Sequence, residues 1–420
     1  MTMQPWFPDA KLGIFVHYGI YAVDGVAESW SMYNGEITRE AYLKQLGGFT
    51  ASNYDPRAWA ELFAKAGAKY AVLTSKHHDG VALWNAPHST YNTVHHTPAA
   101  RDLVTPYAEA LREQGLKVGL YFSHPDWTHP DYATVQAEND PDFKPNPLSV
   151  APVGAQNQER WTRFRAQYHE QVEDLVTRWR PDLIWFDGEW ERSDEQWAAR
   201  RLGDRILELS PVTILNDRIR THADYASPEQ SLPFTAPDGP WELCLTVNDS
   251  WGFQHEDTNW KSVRQIVRYF TETIGLGGNL LLDVGPREDG TIPAEAAERL
   301  ERLGGWIAKH AEAVYGTTAG LPAGHHYGPS TLSKDRQTVY LVCYDIPREA
   351  ISVRGLQNEV KRVTLLGSGR ELRHSRTGGL GAHPGHLWIE APTVGELDEY
   401  ATVLAVELEG ELHLYTGTGR

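Results

Sequence analysis

The first part of the chain alternates short apolar runs with stripes of apolar residues at helical spacing. The runs Lys117–His124 and Asp182–Asp187 each finish in polar residues, and the stripe Trp161–Trp179 separates them. Repeated strand and helix units of this kind predict a parallel sheet covered by helices. A doubly wound sheet needs a glycine-rich phosphate loop after its first strand, and His17-Tyr18-Gly19 supplies one glycine there. We therefore predict a TIM-like (β/α) barrel over residues 1–315.

The sequence changes character beyond Gly316. Short β-branched segments, from Thr338–Tyr344 to Thr402–Leu408, replace the helical stripes and are separated by Gly, Pro and charged turns. This pattern is typical of an all-β module of about a hundred residues. We predict a C-terminal β-sandwich over residues 316–420.

Charge and cysteine content restrict the partners and the compartment. The 420 residues carry a formal charge of -17, which repels nucleic acid and anionic membranes. Both cysteines, Cys244 and Cys343, lie in apolar runs and read as buried thiols. Met1–Phe7 lacks the basic and apolar segments of a secretion signal. We expect a cytoplasmic protein with no nucleic-acid or membrane partner.

Polar residues collect where the predicted barrel strands end, which is the catalytic face of such barrels. They are His17, His77, His78, Asp79, Asp187, Glu189, Asn216, Asp217 and Arg218, with Glu242 at the start of a further strand. A metal-dependent hydrolase is one alternative, although adjacent strand residues such as His77 and His78 point to opposite faces. A Schiff base on Lys76 is another. Two-carboxylate glycoside hydrolysis suits the set better, and 15 tryptophans and 19 tyrosines favour sugar binding.

Ordered motifs carry a resemblance that covers Trp6 to about Tyr315. Together they resemble the α-L-fucosidase family, glycoside hydrolase family 29. The motifs are Lys11–Gly19, Lys76-His77-His78-Asp79-Gly80 with Trp84, Trp185-Phe186-Asp187-Gly188, Asn216-Asp217-Arg218, Trp241-Glu242 with Ser250-Trp251-Gly252, and Gly278-Asn279 leading to Gly285-Pro286.

The resemblance implies a barrel followed by a β-sandwich and a retaining exo-hydrolase that releases α-L-fucose from fucosylated oligosaccharides or glycoconjugates, without metal or cofactor. It matches Asp187 to the nucleophile and Glu242 to the acid/base. The implied sugar-binding residues are His17, Trp30, His77, His78, Trp84, Tyr121, Trp185 and Arg218. Where many members read Glu-Trp, this chain reads Glu28-Ser29-Trp30. Whether Glu28 contacts the sugar stays open at this point.

The general acid is the least constrained assignment. Glu242 lies between Trp241 and Leu243 in an apolar strand, and an apolar wall would keep it protonated near neutral pH. We expect its carboxyl about 5–5.5 Å from that of Asp187. The alternatives are Glu189 and a carboxylate on one of the variable loops, which are Ala22–Tyr33, Asp126–Asn157 and Arg220–Pro240. A sugar-binding protein on a degenerate barrel would lack one carboxylate. The sequence specifies neither the glycosidic linkage nor the oligomeric state.

Overall fold

The computed structural model describes residues 3–136, 146, 148–149, 151, 154–345, 349–381 and 383–417. Parallel strands of its first part line up in the order β7-β6-β5-β2-β1-β9-β8, with a short β3–β4 ribbon beside β2. The strands are β1 (Leu12–Val16), β2 (Tyr70–Lys76), β3 (Val81–Ala82), β4 (Tyr91–Asn92), β5 (Lys117–Ser123), β6 (Leu183–Asp187), β7 (Ile214–Leu215), β8 (Glu242–Thr246) and β9 (Asn279–Val284). The seven strands of the parallel order, which are all of these except β3 and β4, are buried along almost their whole length, as expected for a sheet covered on both faces.

Helices lie around the sheet. They are α1 (Trp6–Ala10), α2 (Trp30–Tyr33), α3 (Arg39–Lys44), α4 (Pro56–Lys65), α5 (Val104–Glu113), α6 (Gln158–Trp179), α7 (Asp194–Trp197), α8 (Ala199–Leu209), α9 (Val263–Gly275), α10 (Ala294–Lys309) and α11 (Ala311–Val314). Local chemistry sets their starts: Asp55 accepts from the backbone N–H of Arg57 and of Ala58 at α4, and Ser262 and Gln265 form a capping box at α9. None of the described helices is both long and apolar enough to cross a bilayer.

An irregular segment, Tyr225–Glu229, lies between β7 and β8 and fills the gap between the two ends of the sheet. It forms parallel bridges from Tyr225 to Asn216, from Ala226 to Trp241 and from Glu229 to Cys244. The backbone N–H groups of Ala226 and Gln230 both donate to the β8 side. Pro228 between them has no N–H to donate, so the ladder is interrupted there. We call residues 225–229 the closing segment, because it completes the barrel.

The C-terminal part is a two-sheet sandwich packed against the barrel. One sheet has the order β10-β11-β12-β18-β14-β15 and the other β13-β17-β16. Their strands are β10 (Thr317–Ala319), β11 (Ser330–Ser333), β12 (Thr338–Cys343), β13 (Ala350–Arg354), β14 (Val360–Leu365), β15 (Arg370–Glu371), β16 (His374–Thr377), β17 (His386–Glu390) and β18 (Thr402–Leu408). Alternate residues of β18 face the sandwich core and the barrel, so Leu404 belongs to one core and Val403 to the other.

The predicted fold class, a TIM-like barrel followed by a β-sandwich, is confirmed. Helix α11 ends at Val314 and the first antiparallel strand begins at Thr317, close to the predicted boundary after residue 315. Neither the closing segment nor helix α8 was predicted from the sequence. The sequence also predicts that the polar, proline-rich stretch Asn139–Asn157 is a long loop over the site, and more than half of that stretch lies outside the described residues.

Candidate active site

A small cleft of about 60 Å³ opens at the carboxyl ends of the barrel strands. Barrels of this class place their active sites at that face. Most of its lining side chains come from the ends of different strands or from the loops that follow them. The lining residues are Phe15, His17, Trp30, His77, Tyr121, Trp185, Asp187, Trp190, Arg218, Glu229, Cys244 and Trp251.

Asp187, the last residue of β6, is the central carboxylate of the cleft. Its Oδ1 accepts from Arg218 Nη1 at 2.6 Å, and its Oδ2 accepts from the Tyr121 hydroxyl at 2.9 Å. Burial alone would raise the pKa of Asp187, but the Arg218 charge and these hydrogen bonds hold it below its ordinary value. Asn216 pins the strand end by bonding both backbone groups of Phe186. The site therefore holds an ionised, fixed carboxylate, which is what a nucleophile requires.

Arg218 joins Asp187 to a second carboxylate that the sequence analysis did not name. Arg218 Nη2 donates to Glu229 Oε2 at 2.7 Å while Nη1 is held by Asp187. Glu229 ends the closing segment, and its side chain is 40% exposed against 12% for Asp187. The guanidinium of Arg218 thus donates to both carboxylates that line the cleft, and Glu229 lies nearer its mouth than Asp187 does.

The three predicted histidines are buried, and their Nδ1 atoms are occupied. His17 Nδ1 donates to Asp283 Oδ1 at 2.6 Å, and His78 Nδ1 donates to the Ser123 hydroxyl at 2.7 Å. His77 Nδ1 lies 2.7 Å from the hydroxyl of Ser29. These contacts leave the Nε2 atoms for other partners.

Burial lowers the pKa of His17 and of His78 to about 4 and that of His77 well below its ordinary value. All three rings are therefore neutral at pH 7 and can exchange hydrogen bonds with hydroxyl groups. His17 and His77 line the cleft, whereas His78 is fully buried with Nε2 3.4 Å from Asp187 Oδ2.

Aromatic rings form most of the remaining wall. Trp30 stands edge-on to His78, with ring centres 5.5 Å apart, and lies nearly parallel to Trp190 at 6.3 Å. Trp251 lies 5.0 Å from the His17 ring. Trp30, Tyr121 and Trp185 were predicted to face the sugar, whereas Phe15, Trp190 and Trp251 were not assigned to the site from the sequence. Such a wall suits the C–H faces of a monosaccharide.

Trp84 is a correction to the predicted site. It follows the short strand β3, is fully buried, and donates its indole N–H to Asp174 on α6 at 3.0 Å. Its ring packs edge-on against Trp179. Trp84 therefore anchors the β3–β4 ribbon to helix α6 and does not line the cleft.

Glu242 is the second correction. It is the first residue of β8, paired with Asn279 at the start of β9, and so lies at the amino end of the barrel, opposite the cleft. Its side chain is fully buried and does not line the cleft. Burial raises the pKa of Glu242 to about 7, although the hydrogen bonds that it accepts from Tyr70 and Trp185 lower it. The position excludes direct contact with a leaving group at the mouth.

Two further carboxyls were considered from the sequence. Burial raises the pKa of Glu189 to about 7, but Glu189 lies beside the cleft and not in its lining. Glu28 is buried behind the wall, where it accepts from the backbone N–H of Gly252.

Lys76, the Schiff-base alternative, is buried and donates to Gln171 on α6. Among the described residues, no three His, Cys, Asp or Glu side chains converge as metal ligands would.

Comparisons with known proteins identify the family and the fold. The family model for alpha-L-fucosidases matches residues 1–312. Tissue alpha-L-fucosidase of Macaca fascicularis is 34% identical over 342 residues, which cover 74% of this chain and 69% of that protein. The structure of alpha-L-fucosidase isoenzyme 1 from Paenibacillus thiaminolyticus has a TM-score of 0.85 and 33% identity, covering 96% of this chain and 98% of that one.

A Thermotoga maritima alpha-L-fucosynthase, solved in complex with alpha-L-Fuc-(1-2)-beta-L-Fuc-N3, has a TM-score of 0.79 and 29% identity and covers 96% of this chain and 97% of that one. The extent of the family match and the similarity of the folds agree. The chain is a glycosidase and belongs to the alpha-L-fucosidase family.

Proposed function

We propose that this protein hydrolyses α-L-fucosides with retention of configuration, using Asp187 as nucleophile and Glu229 as general acid and base. The observation that carries the proposal is the single guanidinium of Arg218, which donates to both carboxylates. Retaining glycosidases need two carboxyl groups about 5–5.5 Å apart, and a shared guanidinium holds two carboxylates at that scale. Family membership and the fucosyl ligand of the Thermotoga maritima relative support fucose as the sugar.

In the first step, an oxygen of Asp187 attacks the anomeric carbon, and the bond from that carbon to the leaving oxygen breaks. Glu229 gives its proton to the leaving oxygen, so the aglycone departs as a neutral alcohol. The products of this step are a fucosyl ester on Asp187 and the carboxylate of Glu229. The partial exposure of Glu229 at the mouth suits contact with an aglycone that extends into solvent.

In the second step, the carboxylate of Glu229 takes a proton from water, and the water oxygen attacks the anomeric carbon. The bond to Asp187 breaks, fucose leaves with its original configuration, and Asp187 regains its negative charge. Because the ester on Asp187 is uncharged, Arg218 pairs with Glu229 alone during this step. Arg218 therefore remains beside Glu229 as its hydrogen-bond donor while Glu229 acts as base.

Recognition of the sugar rests on neutral donors and apolar walls. His17 and His77 present imidazole groups without charge, which suits the hydroxyl groups of a neutral sugar. Fucose carries a methyl group in place of a hydroxymethyl group, and the rings of Phe15 and Trp251 provide apolar surface for it. These contacts favour a deoxy sugar over one that needs another hydrogen-bond partner.

Two variants and azide test the roles. Asp187→Gly with an aryl α-L-fucoside and azide should give fucosyl azide of inverted configuration, because azide occupies the space of the lost nucleophile. Glu229→Ala should form the ester and stall, and azide should release fucosyl azide of retained configuration. Proton NMR of the anomeric signal separates the two products. Glu189→Gln is the matched control and should give no azide product.

The assignment of Glu229 is overturned if Glu229→Ala turns over at the wild-type rate, or if azide accelerates Glu189→Gln instead. The assignment of Asp187 is overturned if Asp187→Gly keeps more than about a tenth of wild-type activity. Glu229→Ala should also lose more activity on fucosyl oligosaccharides than on aryl fucosides, whose phenolate needs little protonation.

The partner and compartment remain part of the proposal. The charge of -17 supports a protein that does not bind nucleic acid or anionic membranes. Both cysteines are free and buried, which suits a reducing compartment such as the cytoplasm.

A further inference from the structure

Glu242 is a buried carboxyl that the proposed reaction does not use. Resting on the proposed function, we infer that Glu242 is a positioning residue, which fixes the indole of Trp185 beneath the sugar and thereby the partners of Asp187. Trp185, which lines the cleft, is thus held in place by a residue at the opposite end of the barrel.

Both oxygens of Glu242 have one donor each. Oε1 accepts from the Trp185 indole N–H at 3.0 Å, and Oε2 accepts from the Tyr70 hydroxyl. Glu242 is completely buried, with 0% of its surface exposed. Trp185 lines the cleft, whereas Tyr70 does not. The carboxyl therefore sits directly beneath a wall residue of the sugar site and ties it to the base of the barrel.

Trp185 in turn touches both groups that bond the nucleophile. It is the third residue of β6, two before Asp187, so both side chains lie on the same side of the strand. Its ring is stacked on Tyr121, with ring centres 5.8 Å apart and planes at 17°, and the Arg218 guanidinium lies 4.5 Å from its centre. Tyr121 and Arg218 are the donors to Asp187. Trp185 thus supports the donor pair from below.

Loss of the Glu242 carboxyl would leave the Trp185 N–H buried without an acceptor, which is unfavourable. A turn of the indole towards another acceptor would relieve this, but it would shift the surface on which Tyr121 and Arg218 rest. Small displacements of groups around a reacting atom lower turnover strongly. The effect of Glu242 on catalysis should therefore pass through Trp185.

Five single variants, one of them a control, and the double variant Trp185→Phe with Glu242→Leu test this. Glu242→Leu and Glu242→Asp remove or withdraw the acceptor, Glu242→Gln keeps a carbonyl oxygen at the same reach, and Trp185→Phe removes the indole N–H. Tyr70→Phe is the matched control, because it removes the other hydrogen bond of Glu242 without removing the acceptor of Trp185. We measure kcat and KM on an aryl α-L-fucoside, the melting temperature, and L-fucose binding by calorimetry.

The expected results separate positioning from simple stability. Glu242→Leu should lower kcat/KM by about 30-fold, Glu242→Asp by about 10-fold and Glu242→Gln by less than about 3-fold, with L-fucose binding weakened in the same order. Tyr70→Phe should lower the melting temperature but change kcat/KM by less than about 2-fold. In the Trp185→Phe background, Glu242→Leu should cost less than about 2-fold, since the two residues act in one chain of contacts.

The inference is overturned if Glu242→Asp and Glu242→Leu keep wild-type kcat/KM, or if Glu242→Leu costs as much with Phe at residue 185 as with Trp. If Glu242→Leu does not fold, Glu242→Asp decides. Failure of the wild type to hydrolyse α-L-fucosides would overturn the proposed function instead. The order of L-fucose binding among the variants would then decide the role of Glu242 without any hydrolysis.

Discussion

The two ends of the barrel interior each bury a carboxyl group, and the two groups ionise differently. Burial favours the neutral form of both, but Asp187 faces the charge of Arg218 and its pKa falls below the ordinary value. Glu242 faces two neutral donors, Tyr70 and Trp185, and burial raises its pKa to about 7. At similar depth, the charge of the partner decides the ionisation state. The cationic partner marks the reacting end, and the neutral partners mark the supporting end.

The strongest test exchanges one carboxylate at each end of strand β6. Asp187→Asn should lower kcat by more than roughly 1000-fold, because the amide cannot form the fucosyl ester. Asp182→Asn changes the same group just before β6, where Asp182 bonds Lys117, and should leave kcat unchanged. Steady-state kinetics on an aryl α-L-fucoside compares them. Equal losses would remove the functional distinction between the two ends.

The next test concerns stability against pH. An ordinary Glu ionises near 4.5 and Glu242 near 7, so between these values the folded protein keeps a proton that the unfolded chain has lost. Stability from this group therefore falls as pH rises through that window and is constant above it. In wild type this lowers the free energy of unfolding by at most roughly 3 kcal/mol across the window, and Glu242→Gln should abolish that decrease. Urea unfolding at pH 5 and pH 8 measures it, and parallel behaviour of wild type and variant would contradict the raised pKa.

A smaller effect is expected from one donor at the reacting end. Tyr121→Phe removes the hydroxyl that donates to Asp187 at 2.9 Å, and this bond helps to keep the pKa of Asp187 low. We expect a loss of roughly 10-fold in kcat/KM and an acidic limb of the pH profile that moves to higher pH. Tyr107→Phe, on the outer helix α5, is the control. An acidic limb that does not move would separate Tyr121 from Asp187.

The smallest expected effect is none at all. Prolonged dialysis against a chelator should leave kcat unchanged, because Arg218 supplies the positive charge beside Asp187 and the proposed double displacement uses only protein groups and water. The assay is the aryl fucoside rate before and after treatment. Loss of activity that zinc or manganese restores would put a metal at the reacting end and contradict the comparison.

Much of the reacting end could be predicted from the sequence. Asp187 follows a continuous apolar run and precedes Gly188, so the sequence predicts both the strand and the residue at its catalytic end. His17 and His77 follow similar runs. Glu229 was not named from the sequence: the alternative acid was any carboxylate on three variable loops, and Glu229 lies on one of them, Arg220–Pro240. Its neighbours Ser227 and Pro228 give no strand pattern, and only the structure shows that this stretch completes the barrel.

The supporting end was harder to predict because a strand pattern does not show what lies across the barrel. Glu242 was placed on the right strand, and its position at the start of that strand was the available signal that it faces the base. The motif resemblance outweighed that signal. The prediction that Trp84 lines the site was wrong for a related reason. Its motif neighbours His77 and His78 lie at the site, but Trp84, six residues after His78, packs outward against α6.

The closing segment is held to the rest of the barrel less firmly than the strands are, and it carries Glu229. It is held by isolated bridges, and Pro228 removes one of its ladder bonds, whereas β6 is paired along all five residues with β5. Amide hydrogen exchange should therefore be faster at residues 225–229 than in β6. Gentle warming would release Glu229 before Asp187, leaving a protein that still captures fucose yet no longer turns it over. Heat inactivation of this enzyme should precede its global unfolding.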